Sequence, residues 1–208
     1  KGNIRVYCRV RPYLPSEKAN DSKGKQVSKH RVFQFPDLDV EQRSITHVTQ
    51  GGVRYDGRQA SNKATKFSFD RIFTPRDTQE AVYDEVGQMV QSACDGYRVC
   101  IFAYGQTGSG KTHTMHGPLH GNDRGVMPRA ASHVFEYCSK LEEQGWEFEI
   151  TCSILEIYNE KLRDLLNKDS GASLDIHHHL NREDENADTV VDGLTEQTVL
   201  DSASVLEL

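Results

Sequence analysis

Val99-Cys-Ile-Phe-Ala-Tyr-Gly-Gln-Thr-Gly-Ser-Gly-Lys-Thr112 decides the reading of this chain. Its first six residues form a near-continuous apolar run with no polar alternation. Such a run suits a strand buried on both faces, as in a parallel sheet flanked by helices. The next eight, Gly105, Gln106, Thr107, Gly108, Ser109, Gly110, Lys111 and Thr112, satisfy the pattern G-x-x-x-x-G-K-[ST] at every position. Glycines let the backbone amides turn inward and approach phosphate oxygens closely. A helix following the loop offers unpaired N–H groups to an anion. Lys111 can neutralise β- and γ-phosphates, and the Thr112 hydroxyl can sit on Mg²⁺. A chance match is expected in roughly 1% of chains of this length. The strand before the loop and the helix after it are the context that the mechanism requires. By itself, the loop specifies a nucleoside triphosphate with Mg²⁺ and leaves kinase, GTPase and motor open.

Outward from the loop, the chain alternates strands with helices, which points to an α/β fold. Ile4–Arg11 alternates apolar and polar residues and reads as a strand stopped by Pro12. Residues 13–30 read as a loop. Strands are expected at Arg31–Phe35, Ser44–Thr49 and Thr65–Phe69, with a turn at Gly51-Gly52. Residues 77–94 carry a stripe of Val82, Val86, Met89, Val90 and Ala93, as an amphipathic helix would. Asp77, with Glu80 three residues on, has capping-box spacing, and Asp95-Gly96 ends the segment. A second helix is expected over Val126–Leu141. Glu147–Ile157 reads as a strand, Lys161–Leu166 as a short helix or a continuation, residues 167–188 as an acidic loop and Thr189–Val191 as a short strand. Ser202–Leu208 looks like the start of a helix. Phe67, Phe69, Phe73 and Tyr83 are expected in the core, because aromatics at strand and helix spacing usually supply packing area.

Composition narrows the class. The chain has 208 residues, of which 27% are charged, and a net charge of −6. That length suits one domain or a large part of one. The acidic balance argues against a dedicated nucleic-acid binder. Mean hydropathy is −0.66, and no apolar run approaches the ~20 residues of a membrane-spanning helix, so neither nucleic acid nor membrane is expected as a partner. Residues 1–5 lack the apolar stretch of a secretory signal. Cys8, Cys94, Cys100, Cys138 and Cys152 form no CxxC pair and read as reduced core thiols of a cytosolic protein. His177-His178-His179 invites a metal reading, but adjacent strand residues point to opposite faces and do not easily converge on one ion.

The flanks of the loop carry a resemblance. Phe102-Ala-Tyr-Gly-Gln-Thr-Gly-Ser-Gly-Lys-Thr-His-Thr-Met115 is similar to the signature of kinesin motor domains. Arg9-Val-Arg-Pro12, Phe67–Phe73, Gln79-Glu-Ala-Val-Tyr83, Glu156-Ile-Tyr-Asn-Glu160 with Asp164-Leu-Leu166, and Gly193-Leu-Thr-Glu196 match the same family in the same order. Lys1–Val6 looks most like the minus-end-directed kinesins, whose motor follows a coiled-coil stalk. The resemblance implies a P-loop NTPase fold with a central, mainly parallel sheet flanked by helices. It also implies ATP or ADP with Mg²⁺ as cofactors, and a microtubule-stimulated ATPase that moves along or grips microtubules. Dimerisation, with itself or a relative, would run through a stalk outside these residues. The expected location is the cytoplasm, on the microtubule cytoskeleton, the spindle included.

Residue by residue, the resemblance places Arg9, Arg11 and Pro12 on one side of the adenine and His113 on the other. It puts residues 106–112 around the phosphates and Thr112 on Mg²⁺. Lys161, Arg163 and Arg182 fall in the family's lesser microtubule-contact region. No catalytic residue is identified. Two family motifs, Asn-x-x-Ser-Ser-Arg-Ser-His and Asp-Leu-Ala-Gly-Ser-Glu, do not occur in residues 1–208. These would close over the γ-phosphate and couple its loss to motion. The expectation is therefore the N-terminal portion of a kinesin motor domain, 1–208, which alone binds nucleotide weakly or not at all and does not hydrolyse it at a motor's rate. A non-motile, kinesin-like interaction module stands as the alternative.

Overall fold

A computed structural model describes residues 4–14, 18–20, 26–28, 33–36, 41–49, 51, 58, 61–118, 120–167, 174–179 and 188–208. The expected turn at Gly51-Gly52 and the expected site residue Arg182 lie wholly or partly outside them. The chain divides into two compact units, Lys1–Glu85 with Phe102–Thr114, and Val86–Ile101 with Met115–Leu208.

In the first unit, β1 (Tyr7–Arg9) is shorter than the alternating stretch around it. It pairs in parallel with a strand some sixty residues on, Cys8 lying opposite Ile72. Two short strands, β2 (Lys18–Asn20) and β3 (Gln26–Ser28), form an antiparallel pair inside the segment expected to be loop. β4 (Phe33–Gln34), β5 (Ser44–Thr49) and β6 (Lys63–Ser68) make a three-stranded antiparallel sheet with β5 in the middle. β7 (Arg71–Phe73) is the partner of β1. The strand ends are stitched by Val10 N–H to the Phe73 carbonyl at 2.9 Å and Asp70 N–H to the Val6 carbonyl at 3.0 Å.

Ile45, Ile72, Phe73 and Val82 form the buried apolar centre of this unit. Each fully buried side chain of this size stabilises the fold by about 1.5–3 kcal/mol. Tyr7 meets Phe73 edge-on, with centroids 6.1 Å apart, and the Arg71 guanidinium lies 5.2 Å from the centre of the Phe73 ring. Phe67 departs from the expected core role: it is 47% exposed on the sheet's edge strand, whose residues are mostly exposed. Phe69 and Tyr83 are half-buried.

Helix α1 (Gln79–Cys94) belongs to both units. Its cap differs from expectation. The Thr78 hydroxyl accepts the Ala81 N–H at 3.1 Å, and this satisfies an orphan donor of the first turn. Asp77 instead accepts the Thr74 N–H and closes the turn before the helix. At the far end, Tyr97 N–H donates to the Ser92 carbonyl and Gly96 N–H to that of Ala93. This is the Schellman pattern, with Gly96 in the left-handed position. Val82, Val86 and Val90 are the buried members of the apolar stripe. Helix α2 (Lys111–Met115) is a single short turn after the glycine loop.

In the second unit, α3 (Val126–Glu142) follows Gly125. A Cβ there would lie 2.6 Å from the backbone of Met115 and His116, so the close approach requires glycine. β8 (Thr151–Cys152) falls within the expected strand, and β9 (Leu155–Tyr158) and β10 (Lys161–Asp164) form a hairpin through Asn159-Glu160, both at positive φ. Lys161–Asp164 is thus a strand, not a helix. β11 (Asp175–His179) and β12 (Asp188–Asp192) pair antiparallel, so the segment expected as an acidic loop contains a strand. β13 (Gln197–Thr198) pairs with β8. α4 (Ser202–Glu207) begins at Asp201, whose carboxylate accepts the Ser204 N–H at 2.7 Å.

The molecule is thus an α/β fold of the P-loop type. Among the described residues, β1–β7 is the parallel pair and the other ladders are antiparallel. Most of the latter join strands close in sequence, and short connections permit only antiparallel pairing. Val99–Tyr104 is not in a ladder. Its odd positions are half-buried and its even ones exposed, with Phe102 at 79% and Tyr104 at 95%. The apolar run has the composition of a doubly buried strand, but among the described residues no strand is bonded to it. No helix among the described residues is long and apolar enough to cross a membrane.

Candidate nucleotide-binding site

Phosphate recognition starts from loop geometry. Gly105 adopts φ = 155°, and a Cβ at this position would stand 2.6 Å from Ser109 Oγ. The loop therefore packs Gly105 so closely against the Ser109 side chain that a residue with a Cβ would collide with it. Ser109 N–H donates to the Gln106 carbonyl at 3.1 Å, and Thr114 N–H to that of Gly110 at 2.9 Å. The first bond tightens the loop and the second starts α2. Lys111 Nζ donates to the Gly105 carbonyl at 2.8 Å and the Gln106 carbonyl at 3.0 Å. The ammonium is thus tethered to the loop's own first residues. Thr112 and His113 are exposed on α2.

The structure brings Arg9 and Arg11 to the same loop. Arg11 Nε donates to the Gly108 carbonyl at 3.0 Å, and its Nη1 donates to the Pro12 carbonyl at 3.1 Å. Pro12 is exposed. Arg9 Nη1 donates to Thr114 Oγ1 at 2.9 Å and to Gln79 Oε1 at 2.6 Å. Burial pulls the Arg9 guanidinium below its ordinary pKa, and the Asp77 carboxylate opposes that pull. A cavity of about 1200 Å³ opens beside these groups, lined by Arg9, Arg11, Tyr13 and Phe69 and by Gln106 and Ser109 of the loop. Apolar walls with a few charged groups are what an adenosine moiety next to a polyphosphate needs.

Gln79 escapes a reading of the sequence alone. It is the first residue of α1 and 3% exposed. Its Nε2 donates to the His113 carbonyl at 2.6 Å. The signal available was a polar residue directly after a capping threonine, a position more often solvated than buried.

The expected microtubule-contact residues sit elsewhere. Lys161 and Arg163 are exposed on β10, and Arg163 pairs with Glu156 at 3.3 Å. An exposed pair of this kind contributes about 0–1 kcal/mol. On β11, His177 lies 3.6 Å from Asp175 and 3.3 Å from Asp192. Among the described residues, no group of three or more His, Cys, Asp or Glu is arranged to hold a metal.

A glycine-turned loop that folds back its own lysine and opens a short helix beside a parallel strand pair defines a P-loop protein of the α/β class. Comparison with known proteins narrows the class. The kinesin motor domain model matches residues 9–208. The chain is 38% identical, over its whole length, to the kinesin-like protein KAR3 of Saccharomyces cerevisiae, and covers 26% of it. It is 44% identical to carboxy-terminal kinesin 2 of Xenopus laevis over 80% of this chain and 25% of that one. Among solved structures, the motor domain of the Kar3-like kinesin from Ashbya gossypii superposes with a TM-score of 0.73 at 36% identity, over 98% of this chain and 57% of that one. The chain belongs to the kinesin motor domain family. Its similarity runs to Kar3-type, carboxy-terminal-motor kinesins, and it spans about a quarter of the length of these two curated relatives.

Proposed function

We propose that this chain is the ATP-binding, N-terminal portion of a microtubule-dependent motor ATPase. The observation that carries the reading is the Lys111 ammonium tethered to the Gly105 and Gln106 carbonyls, within a chain matched to the kinesin motor domain over residues 9–208. The donor set suits a Mg²⁺-nucleotide. A glycine-turned loop with Gly105, Gly108 and Gly110 at positive φ carries an ammonium on its carbonyls, and the Thr112 hydroxyl is a hard oxygen ligand of the kind Mg²⁺ takes. Mg²⁺, when bound, would offset phosphate charge and orient the terminal phosphate.

The chain's own residues then divide the work. The amides of residues 106–112 hold phosphate oxygens. Lys111 exchanges its loop carbonyls for the β- and γ-phosphates. Arg9, Arg11, Pro12 and His113 hold the adenine side, and the apolar cavity wall excludes water from it. Lys161, Arg163 and Arg182 contribute positive charge toward the acidic tubulin surface, so the complete protein acts on cytoplasmic microtubules. It dimerises, with itself or with a relative, through a stalk outside residues 1–208. Neither γ-phosphate-sensing motif occurs in residues 1–208, so hydrolysis belongs to the complete motor.

The test is the steady-state ATPase of the full-length protein with and without microtubules, alongside co-sedimentation. The reading predicts turnover that rises with microtubule concentration. Co-sedimentation without turnover would instead favour a non-motile interaction module.

A further inference from the structure

The nucleotide reading assigns no role to Gln79, a buried carboxamide whose two ends are both engaged. Its oxygen accepts from Arg9 Nη1 at 2.6 Å. Its nitrogen donates to the His113 carbonyl at 2.6 Å. That carbonyl lies near the end of α2, where helix carbonyls lack an intrahelical partner. Arg9 Nη1 also donates to Thr114 Oγ1 at 2.9 Å, so Arg9, Gln79 and residues 113–114 close a ring. The ring joins three elements: the strand β1, the capped start of α1, and the helix that begins with Lys111.

We propose that Gln79 is a positioning residue of the nucleotide site. It aims the Arg9 guanidinium and fixes it relative to the helix carrying Lys111 and Thr112, and so sets how strongly the base half of the ligand is held. This rests on the ATP-binding reading above. The chemistry of the ring selects the residue type. A carboxamide both accepts and donates, an ionised carboxylate only accepts, and an aliphatic or thioether chain of similar length does neither usefully. Gln79 is also held by a regular element and not by a loop, and such elements place functional groups more accurately. Arg9 is half-buried, so without the Gln79 oxygen its guanidinium has one fewer fixed acceptor and a wider range of rotamers.

The experiment compares two ligands on the full-length protein, Mg²⁺-ATP and Mg²⁺-tripolyphosphate. The second has the phosphates but no base. A purely structural role for Gln79 would weaken both equally. The proposal predicts that Gln79→Met lowers the preference for ATP over tripolyphosphate by about ten-fold, the scale of one hydrogen bond to a charged group. Gln79→Glu keeps the acceptor for Arg9 but loses the donor to the His113 carbonyl, so it retains more of the preference than Gln79→Met and less than wild type. In an Arg9→Ala background, Gln79→Met changes the preference no further. If Gln79→Met does not fold, judged by circular dichroism, Gln79→Ala takes its place, and unfolding of both would assign Gln79 to the core and overturn the proposal. Equal losses for both ligands, or no loss for either, would also overturn it. A wild-type protein that binds neither ligand would refute the nucleotide reading itself, and Gln79's role with it.

Discussion

Replacing Gly105 with alanine perturbs the phosphate loop at one backbone position. The new Cβ would stand 2.6 Å from Ser109 Oγ and 3.2 Å from Ser109 Cβ. A change of Ser109 rotamer relieves the first contact, but the second needs movement of backbone. The φ of 155° adds strain of about 1–3 kcal/mol for a residue with a Cβ. Because the Gly105 carbonyl holds Lys111, a shift of the loop moves the ammonium as well. A penalty of this size weakens nucleotide binding roughly 5- to 150-fold. The same strain lowers the melting temperature of Gly105→Ala by about 2–12 °C, at about 2–4 °C per kcal/mol for a chain of this length. The assay is a fluorescence titration of wild type, Gly105→Ala and Gly105→Ala/Ser109→Gly with a labelled ATP in Mg²⁺. The double variant removes both contacts and leaves the backbone strain, so it recovers part of the loss. Wild-type affinity in Gly105→Ala would refute the claim that the loop needs a bare α-carbon there.

Other consequences follow from the packing. Phe73→Ala removes a ring that is 1% exposed and should cost about 3–5 kcal/mol in urea unfolding; a loss under about 1 kcal/mol would contradict its central place. Thr78→Ala should destabilise by about 0.5–2 kcal/mol as the loss of a cap, with α1 fraying first in hydrogen exchange; unchanged protection of Ala81 would return the cap to Asp77. The Asp164 carboxyl is held below the usual carboxylate range by hydrogen bonds, first from the Thr195 hydroxyl and then from the N–H groups of Thr195, Leu166 and Asn167. Its stabilisation is thus fully present above the unfolded value of about 3.9 and disappears as pH falls through the lower folded value. Acid unfolding monitored by circular dichroism should show a shallower pH dependence below about pH 4 in Asp164→Asn than in wild type; identical slopes would contradict the assignment.

The phosphate loop was legible because its chemistry dictates residue types in a fixed order. Ser44–Thr49 was legible from its β-branched residues Ile45, Thr46, Val48 and Thr49, and α1 and α3 from helical periodicity, since burial on one face writes that period into the sequence. Other features depend on partners distant in the chain. The hairpin of β9 and β10 turns on Asn159-Glu160, and two-residue turns at positive φ are usually marked by glycine or Asn-Gly, so the sequence left Lys161–Leu166 open between a short helix and a continuation of the strand. Val99–Tyr104 has the composition of a buried strand, but composition alone does not supply a neighbour to bond to. Thr78 and Asp77 are both good caps, and only the hydrogen bonds chose between them. Gln79 was hidden for a related reason: whether a glutamine is solvated or buried depends on Arg9, seventy residues earlier.

The central claim is that Lys111 holds the phosphates of ATP. The most direct measurement is equilibrium binding of Mg²⁺-ATP to full-length wild-type protein and to Lys111→Ala. Loss of the ammonium removes its charge-assisted contacts to the phosphates, and the account predicts an affinity at least about 100-fold lower, with a melting temperature without nucleotide lowered by a few degrees at most as the Gly105 and Gln106 carbonyls lose their donor. Equal affinity for the two proteins would contradict it.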